Sequence, residues 1–456
     1  MKKIIDKHNA AELLKNLSDE FAVVKNPEYI HPEFELYPLA PKLTSPLESL
    51  AAAVMDMDGT TTTTEELCIH SLEFMIRKMS GKMTTESWKG LDHNLDYPHI
   101  IGNSTTKHVE YLITKYHSLF IDENIKGSYF YAALWTLLAG NDSKRKEEVT
   151  VNLNNFNLSG IFGDGFYKDL SAKNTSLAGM EHEISEYFLQ RFSDRFPSLS
   201  KTDLVKIAID IYYQRYHEIL QRIKRGESKN ISIELFNDPN KRLIQPMPGV
   251  LFLLCLLKGW LGNEADNLTD RLIEEYRVKS GKIFDVTDPA EIKKRVKALS
   301  LYFEKHPAKI AIVTSSIFYE ADIVMGEVFN VLTSQLDDLT ISSARKELIR
   351  QKLSGYRNVY DVFITASDST EIRLKPHRDL YCIALHQLNV PASDFKNVIG
   401  FEDSESGTIA IRAAGIGRCV AVPFAQTTGH NFDAAAVVCT GGVPEIVLTY
   451  NLFFKS

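Results

Sequence analysis

The chain has 456 residues, 44% of them hydrophobic and 24% charged, with a formal net charge of −7. That length asks for more than one domain, and the balance is that of a folded globular protein rather than a disordered chain. A mildly acidic chain without a basic stripe excludes a nucleic-acid footprint, and no apolar run is long enough to span a bilayer.

Cys68, Cys255, Cys382, Cys419 and Cys439 are scattered without a C-x-x-C pair, which predicts reduced thiols and a cytoplasmic protein. The charged N-terminus lacks the apolar core of a signal peptide. Residues 1–47 read as an extension. Ala10 to Phe21 has the spacing of one amphipathic helix, and Pro27, Pro32, Pro38, Pro41 and Pro46 predict an extended, loop-like remainder.

The apolar run Ala51-Ala-Ala-Val-Met then ends in Asp56-Met57-Asp58-Gly59-Thr60. A run bounded this way reads as a buried strand of a parallel sheet, whose carboxyl end is where ligands bind in open α/β folds. Asp56 and Asp58 repel each other there unless a cation or a shared proton intervenes. The pair suits a carboxylate nucleophile, a neighbouring acid/base and a Mg²⁺ ion; a solvated D-x-D-G turn is the plain alternative.

From Thr64, with Glu65 and Glu66 in a first turn, Ile69, Leu72, Ile76 and Met79 recur at helix spacing. Helical patterning continues to about Gln245. Ile184, Phe188 and Phe192 share one face, and Leu204, Ile207, Ile211, Ile219 and Ile223 mark a longer helix that stops at Gly226. Val149 to Asp164, rich in Asn and Gly, reads as an irregular connection.

Gln245-Pro-Met-Pro-Gly249 punctuates a return to another pattern. Leu251 to Leu257 begins a helix, and 258–306 is a polar helical excursion. Apolar runs follow at Lys309–Thr314, Val359–Thr365, Val398–Phe401, Cys419–Pro423 and Ala435–Cys439. Helical faces separate them, at Leu380, Ile383, Ala384 and Leu388 and at Ile409 to Ala414, the latter closed by Gly415. The alternation predicts an α/β fold, a doubly wound parallel sheet interrupted by a mostly α-helical insertion. The boundaries are 1–47 for the extension, 48–66 with 245–456 for the core, and 67–244 for the insertion.

Later strands end in groups suited to a phosphate site. Thr314-Ser315-Ser316 supplies hydroxyls and helix-start N–H groups for phosphate oxygens. Lys375 precedes a helix predicted over 376–388 and can screen a carboxylate attacking an anionic phosphoryl group. Glu402-Asp403-Ser404 supplies hard oxygen ligands for Mg²⁺ opposite Asp56.

These four motifs, Asp56-Met-Asp58-Gly-Thr60, Ile-Val-Thr314-Ser-Ser, Leu-Lys375-Pro-His-Arg-Asp-Leu-Tyr and Ile-Gly-Phe-Glu402-Asp403-Ser404, occur in the order of the haloacid dehalogenase superfamily. The chain resembles its branch of β-phosphoglucomutases and phosphoglycolate-type phosphatases. The resemblance covers Ala51–Glu66 and about Pro246–Leu448. It implies a helical cap domain after the first motif, and Asp56 as nucleophile forming an aspartyl-phosphate. Asp58 is implied as acid and then base, with Thr314, Ser315 and Lys375 holding phosphoryl oxygens. It also implies Mg²⁺ on the Asp56 side chain, the Asp58 carbonyl and Asp403, with Glu402 as an additional ligand. The expected activity is hydrolysis of a small phosphorylated metabolite; the alternatives are a sugar phosphomutase and a non-catalytic binding protein.

Two departures stand out. Ile100-Ile-Gly102-Asn-Ser104-Thr105 is similar to a cap substrate loop, but Thr105 stands where mutases place an arginine, with Lys107 two further on. Thr63 and Thr64 stand where many relatives carry an acid and a hydroxyl residue. The expected insertion is also much longer than the usual small cap. It is expected to act as a lid that sets specificity, hinged at Thr61–Glu66 and Lys241–Gly249. Gly415-Ile-Gly417 follows a helix and precedes a strand, the wrong context for binding a dinucleotide. His93, His99, Lys89 and His108 lie near the loop and read as surface groups.

Overall fold

The computed structural model describes residues 4–26, 30–100, 105–173, 177–285, 288–370, 373–424, 427 and 429–455. The chain forms two compact units, Met1–Thr64 with Ile244–Ser456, and Glu65–Leu243.

The strands of the first unit are β1 (Phe21–Lys25), β2 (Phe34–Pro38), β3 (Ala52–Asp56), β4 (Thr62–Thr63), β5 (Gln245–Pro246), β6 (Lys309–Val313), β7 (Val362–Ile364), β8 (Val398–Glu402), β9 (Arg418–Ala421) and β10 (Val437–Val438). Six of them form an all-parallel sheet in the order β10-β9-β8-β3-β6-β7. Every residue of β3 is buried, which is why the run reads apolar rather than alternating: both faces of a parallel sheet are covered. Ala52 and Val54, on one face of the strand, pack in a core with Val313, Ile364, Leu380 and Ile411. The chain winds from β3 through β6 to β7, then crosses back to β8, β9 and β10 on the other side. β3 is therefore the point where the winding reverses, the place such sheets bind ligands.

The crossings into and out of the helical unit are paired. β4 runs antiparallel to β5, Thr62 Oγ1 donates to the Gln245 carbonyl at 2.8 Å, and Met247 N–H to Thr61 at 3.0 Å.

The N-terminal extension is more ordered than its prolines predict. Its helix spans Lys7–Leu17, with the Asp6 carboxylate capping Asn9 N–H at 2.9 Å. β1 and β2 then form an antiparallel pair, Phe21 opposite Pro38 and Val24 opposite Glu35. Pro32 and Pro38 lie before and at the end of β2, so they bound the strand instead of breaking it. Ala22, Val24, Tyr37 and Leu39 are buried with Ala413.

The second unit has no strand among its described residues. Its main helices are Glu65–Ser80, Thr105–Tyr116, Asp122–Ala139, Ser143–Asn155, Glu181–Phe192 and Lys201–Lys224. The longest opens on a capping box, Ser200 with Asp203, and buries Leu204, Ile207, Ile211, Ile219 and Ile223 as their spacing predicts. The irregular connection expected from Val149 is helical as far as Asn155. Val149 and Leu153, both buried one turn apart, outweigh the asparagines there.

No helix among the described residues is long and apolar enough to cross a membrane, and no disulfide links the five cysteines.

Candidate active site

The register of the central strands assembles the site. Asp56 lies opposite Val313 of β6, and Met55 opposite Phe401 of β8, so Thr314 and Glu402 flank Asp56 on its two sides. Beyond Asp56 the chain turns tightly: Thr61 and Thr62 N–H both reach the Met57 carbonyl at 2.9 Å, and Gly59 N–H reaches Thr62 at 2.7 Å. Gly59 has φ +86, and a Cβ there would stand 2.5 Å from the Asp403 carboxylate. Glycine thus serves both the left-handed backbone and the approach of Asp403.

Lys375 ties three strand ends together. Its ammonium donates to Asp56 Oδ1, to Glu402 Oε1 at 2.7 Å and to the Val313 carbonyl at 3.2 Å. Burial opposes its charge, but Asp56 and Glu402 outweigh that and raise its pKa, so the lysine is held as a cation.

Asp56 is buried, and its Oδ2 has no hydrogen-bond partner among the described residues. Burial first, then repulsion from Glu402, pushes its pKa well above the ordinary carboxylate value, against the pull of Lys375. Asp58 is held differently. Thr64 donates to its Oδ1 at 2.8 Å, and Ser316 and Thr314 donate to its Oδ2 at 3.1 and 3.3 Å. Burial raises its pKa too, with the three hydroxyls pulling the other way.

Glu402 is saturated. Its Oε1 accepts from Lys375 and from Tyr381 at 3.2 Å; its Oε2 accepts from Asp403 N–H, Ser404 N–H and the Ser404 hydroxyl at 3.0, 3.1 and 2.9 Å. Five donors exceed the roughly four lone-pair sites of a carboxylate. One oxygen each from Asp56, Glu402 and Asp403 nevertheless lies within 4.8 Å of the others. Three acids this close, with a buried orphan oxygen on Asp56, fit a hard divalent cation such as Mg²⁺.

Of the residues singled out in the sequence, Lys375 joins Asp56 to Glu402 by hydrogen bonds, Thr314 bonds separately to Asp58, and Asp403 lies beside Asp56 and Glu402. Ser315 is exposed, and Ser316 is the serine that reaches Asp58. Gly102 and Ser104 lie outside the described residues. Lys107 is exposed in the first turn of Thr105–Tyr116, in the helical unit. Two contributors were missed. Thr64 reads as a helix cap, yet its hydroxyl serves Asp58. Tyr381 lies six residues past Lys375, in the first turn of the helix Asp379–Gln387, and its place in the Lys375 motif was its only signal.

No family model matches the chain, and no curated protein matches it. Solved structures overlap with it loosely. CbbY from Rhodobacter sphaeroides, in complex with phosphate, is 13% identical over 87% of this chain and 96% of its own, with a TM-score of 0.37. A hydrolase from Pseudomonas syringae is 10% identical over 89% and 100%, at 0.36. A β-phosphoglucomutase from Clostridium difficile is 15% identical over 88% and 96%, at 0.31. Overlaps this loose leave the site geometry to carry the reading. In that geometry, a doubly wound parallel sheet gathers the four motifs read from the sequence around the end of β3.

Proposed function

We propose that the chain is a Mg²⁺-dependent phosphatase of a small phosphorylated metabolite, working through Asp56. The observation that carries this reading is the buried, unpartnered Asp56 Oδ2 beside a fixed ammonium and a second carboxyl that carries its own hydrogen-bond donors. Asp56 attacks phosphorus; the Asp56 O–P bond forms as the bond to the leaving oxygen breaks. Asp58 gives its proton to that oxygen. Its raised pKa favours the protonated form this step needs. Water then attacks the aspartyl-phosphate, Asp58 takes up its proton, and inorganic phosphate leaves with Asp56 restored. Lys375 lowers the repulsion between Asp56 and the phosphoryl oxygens throughout, and Thr314 and Ser316 keep Asp58 oriented.

Mg²⁺ would be held by Asp56 and Asp403, with the Asp58 carbonyl as the resemblance implies, and would neutralise charge on the carboxylates and the phosphoryl group. Glu402, saturated by five donors, is assigned to holding Lys375 rather than the metal. The cytoplasm is the proposed location, from the dispersed cysteines.

Phosphate release from a generic aryl phosphate tests the assignment. We expect release with Mg²⁺, loss with chelator, and loss in Asp56→Asn. Release indifferent to both excludes it. Interconversion of sugar phosphates stimulated by a bisphosphate would move the assignment to a phosphomutase.

A further inference from the structure

The N-terminal hairpin lies outside every motif of the site, yet it grips the segment that carries Lys375. Glu35 of β2 accepts from Arg373 at 3.1 Å on Oε2 and 3.3 Å on Oε1. Arg373 turns its other edge to Asp379, with bonds of 2.9 and 3.0 Å. On the far side of the lysine, the Tyr37 hydroxyl lies 2.6 Å from His377 Nδ1 and donates to Glu35 Oε2 at 2.8 Å. The hydroxyl has one proton, so with that proton on Glu35 its oxygen accepts from the Nδ1–H of His377. Tyr37 is 5% exposed and His377 4%, so water competes little for the contact between those two. Arg373, two positions before Lys375, and His377, two positions after it, are therefore both tied to one strand.

We infer that Glu35 and Tyr37 are positioning residues: the hairpin fixes the backbone on both sides of Lys375, so that its ammonium meets Asp56, Glu402 and Val313 together. This rests on the proposed phosphatase reading of the site. The lysine needs such fixing because its four-carbon stem is flexible, whereas its three acceptors sit on rigid strand ends. The hairpin has its own anchors. The buried Arg412 binds Glu20 and the carbonyls of Ala40 and Ala434, and Ala22, Val24 and Leu39 pack near Ala413. Loss of one hydroxyl therefore leaves the hairpin docked and frees only the 373–379 segment.

The test uses the full chain with Tyr37→Phe and, as a second variant that leaves the buried ring untouched, Glu35→Gln. Two readouts are taken: kcat and KM for Mg²⁺-dependent aryl phosphate hydrolysis, and amide hydrogen exchange of 373–379. We expect kcat to fall by about tenfold in each variant at unchanged KM, because misplacing a catalytic group costs rate rather than affinity. Exchange of 373–379 should rise while that of β3 and β6 stays as in the wild type. Unchanged kcat in both variants with an active wild type overturns the inference, as does unchanged exchange. If the wild type hydrolyses nothing, the phosphatase reading fails by itself; faster exchange confined to 373–379 then still supports the hairpin's hold, and its absence overturns it.

Discussion

Lys375 Nζ stands 2.7 Å from Glu402 Oε1 and gives another proton to Asp56, so one ammonium is shared by two buried carboxylates. Lys375→Met keeps the stem and removes the charge. We expect kcat for aryl phosphate to fall by about 10²–10³, the usual cost of losing one preorganised electrostatic partner. Stability should fall as well, by about 3–5 kcal/mol, since both acids are left buried without their cation. Urea unfolding of the two proteins without Mg²⁺ measures that difference, and a change under about 1 kcal/mol would mean the acids had simply taken up protons.

Asp56→Asn should separate function from stability in the opposite sense. The wild-type carboxylate is destabilised by burial and by Glu402. A neutral isostere removes both penalties, so we expect no hydrolysis but unchanged or higher resistance to unfolding in chelator, by up to about 1 kcal/mol. A clear fall in stability would show instead that the Lys375 contact outweighs the two penalties.

Gly59 and Asp403 cannot both keep their places once Gly59 gains a Cβ. The added carbon would stand 2.5 Å from the Asp403 carboxylate and 2.8 Å from Phe424, on a backbone with φ +86. Gly281→Ala is the control, since Gly281 has φ +66 with nothing within 4 Å of an added Cβ. The control carries backbone strain alone, about 1 kcal/mol. Gly59→Ala should cost more than that and should also raise the Mg²⁺ concentration for half-maximal activity, by about tenfold if Asp403 is a ligand. Equal effects of the two substitutions on Mg²⁺ dependence would remove Asp403 from the metal.

The central strand and its chemistry were legible because a strand buried on both faces leaves little but an apolar run, and Asp56 and Asp58 end it abruptly. Glu402 and Asp403, adjacent in sequence, look equally suited to a cation. They differ only in space: the Glu402 carboxylate fills the room left by the missing side chain of Gly407, where five donors meet it. The hairpin at 21–38 was not legible, because Pro27, Pro32 and Pro38 punctuate it and mask two short strands, and the Ala413 they pack near is far off in sequence. Thr64 was read for its local role, capping a helix, and that reading hid the reach of its hydroxyl to Asp58.

His70 should give the helical unit an acid sensitivity of its own. Its Nε2 accepts from Arg215 Nε at 3.3 Å, which requires the neutral ring. Burial, then the Arg215 charge, lowers its pKa from 6.5 to about 4. Between those values the unfolded chain takes up a proton that the folded unit refuses. Stability is therefore full above pH 6.5, falls as pH drops through the window, and levels off below 4. His70→Gln keeps an acceptor for Arg215 without titrating. Unfolding followed by fluorescence, with Trp88 and Trp135 in this unit, should show a shallower pH slope for the variant. Parallel slopes would assign the acid loss to carboxylates alone.

Asp403→Asn and Glu402→Gln should fail in different ways, although the residues are neighbours. If Asp403 holds Mg²⁺, its amide should shift half-saturation by Mg²⁺ at least about tenfold upward, with kcat partly recovered at high metal, because a neutral ligand is weaker and not absent. Glu402→Gln has another consequence. Its carbonyl oxygen can still accept from Lys375 and Tyr381, but its NH₂ would face the N–H groups of Asp403 and Ser404, donor against donor. That leaves buried donors unsatisfied, at about 1–3 kcal/mol of stability. The ammonium of Lys375 also loses its second charge, so kcat should fall at every Mg²⁺ concentration while half-saturation stays near the wild-type value. Isothermal titration with Mg²⁺ and initial rates across a metal series separate the two patterns. A large Mg²⁺ shift in Glu402→Gln, without one in Asp403→Asn, would exchange the roles assigned to the two acids.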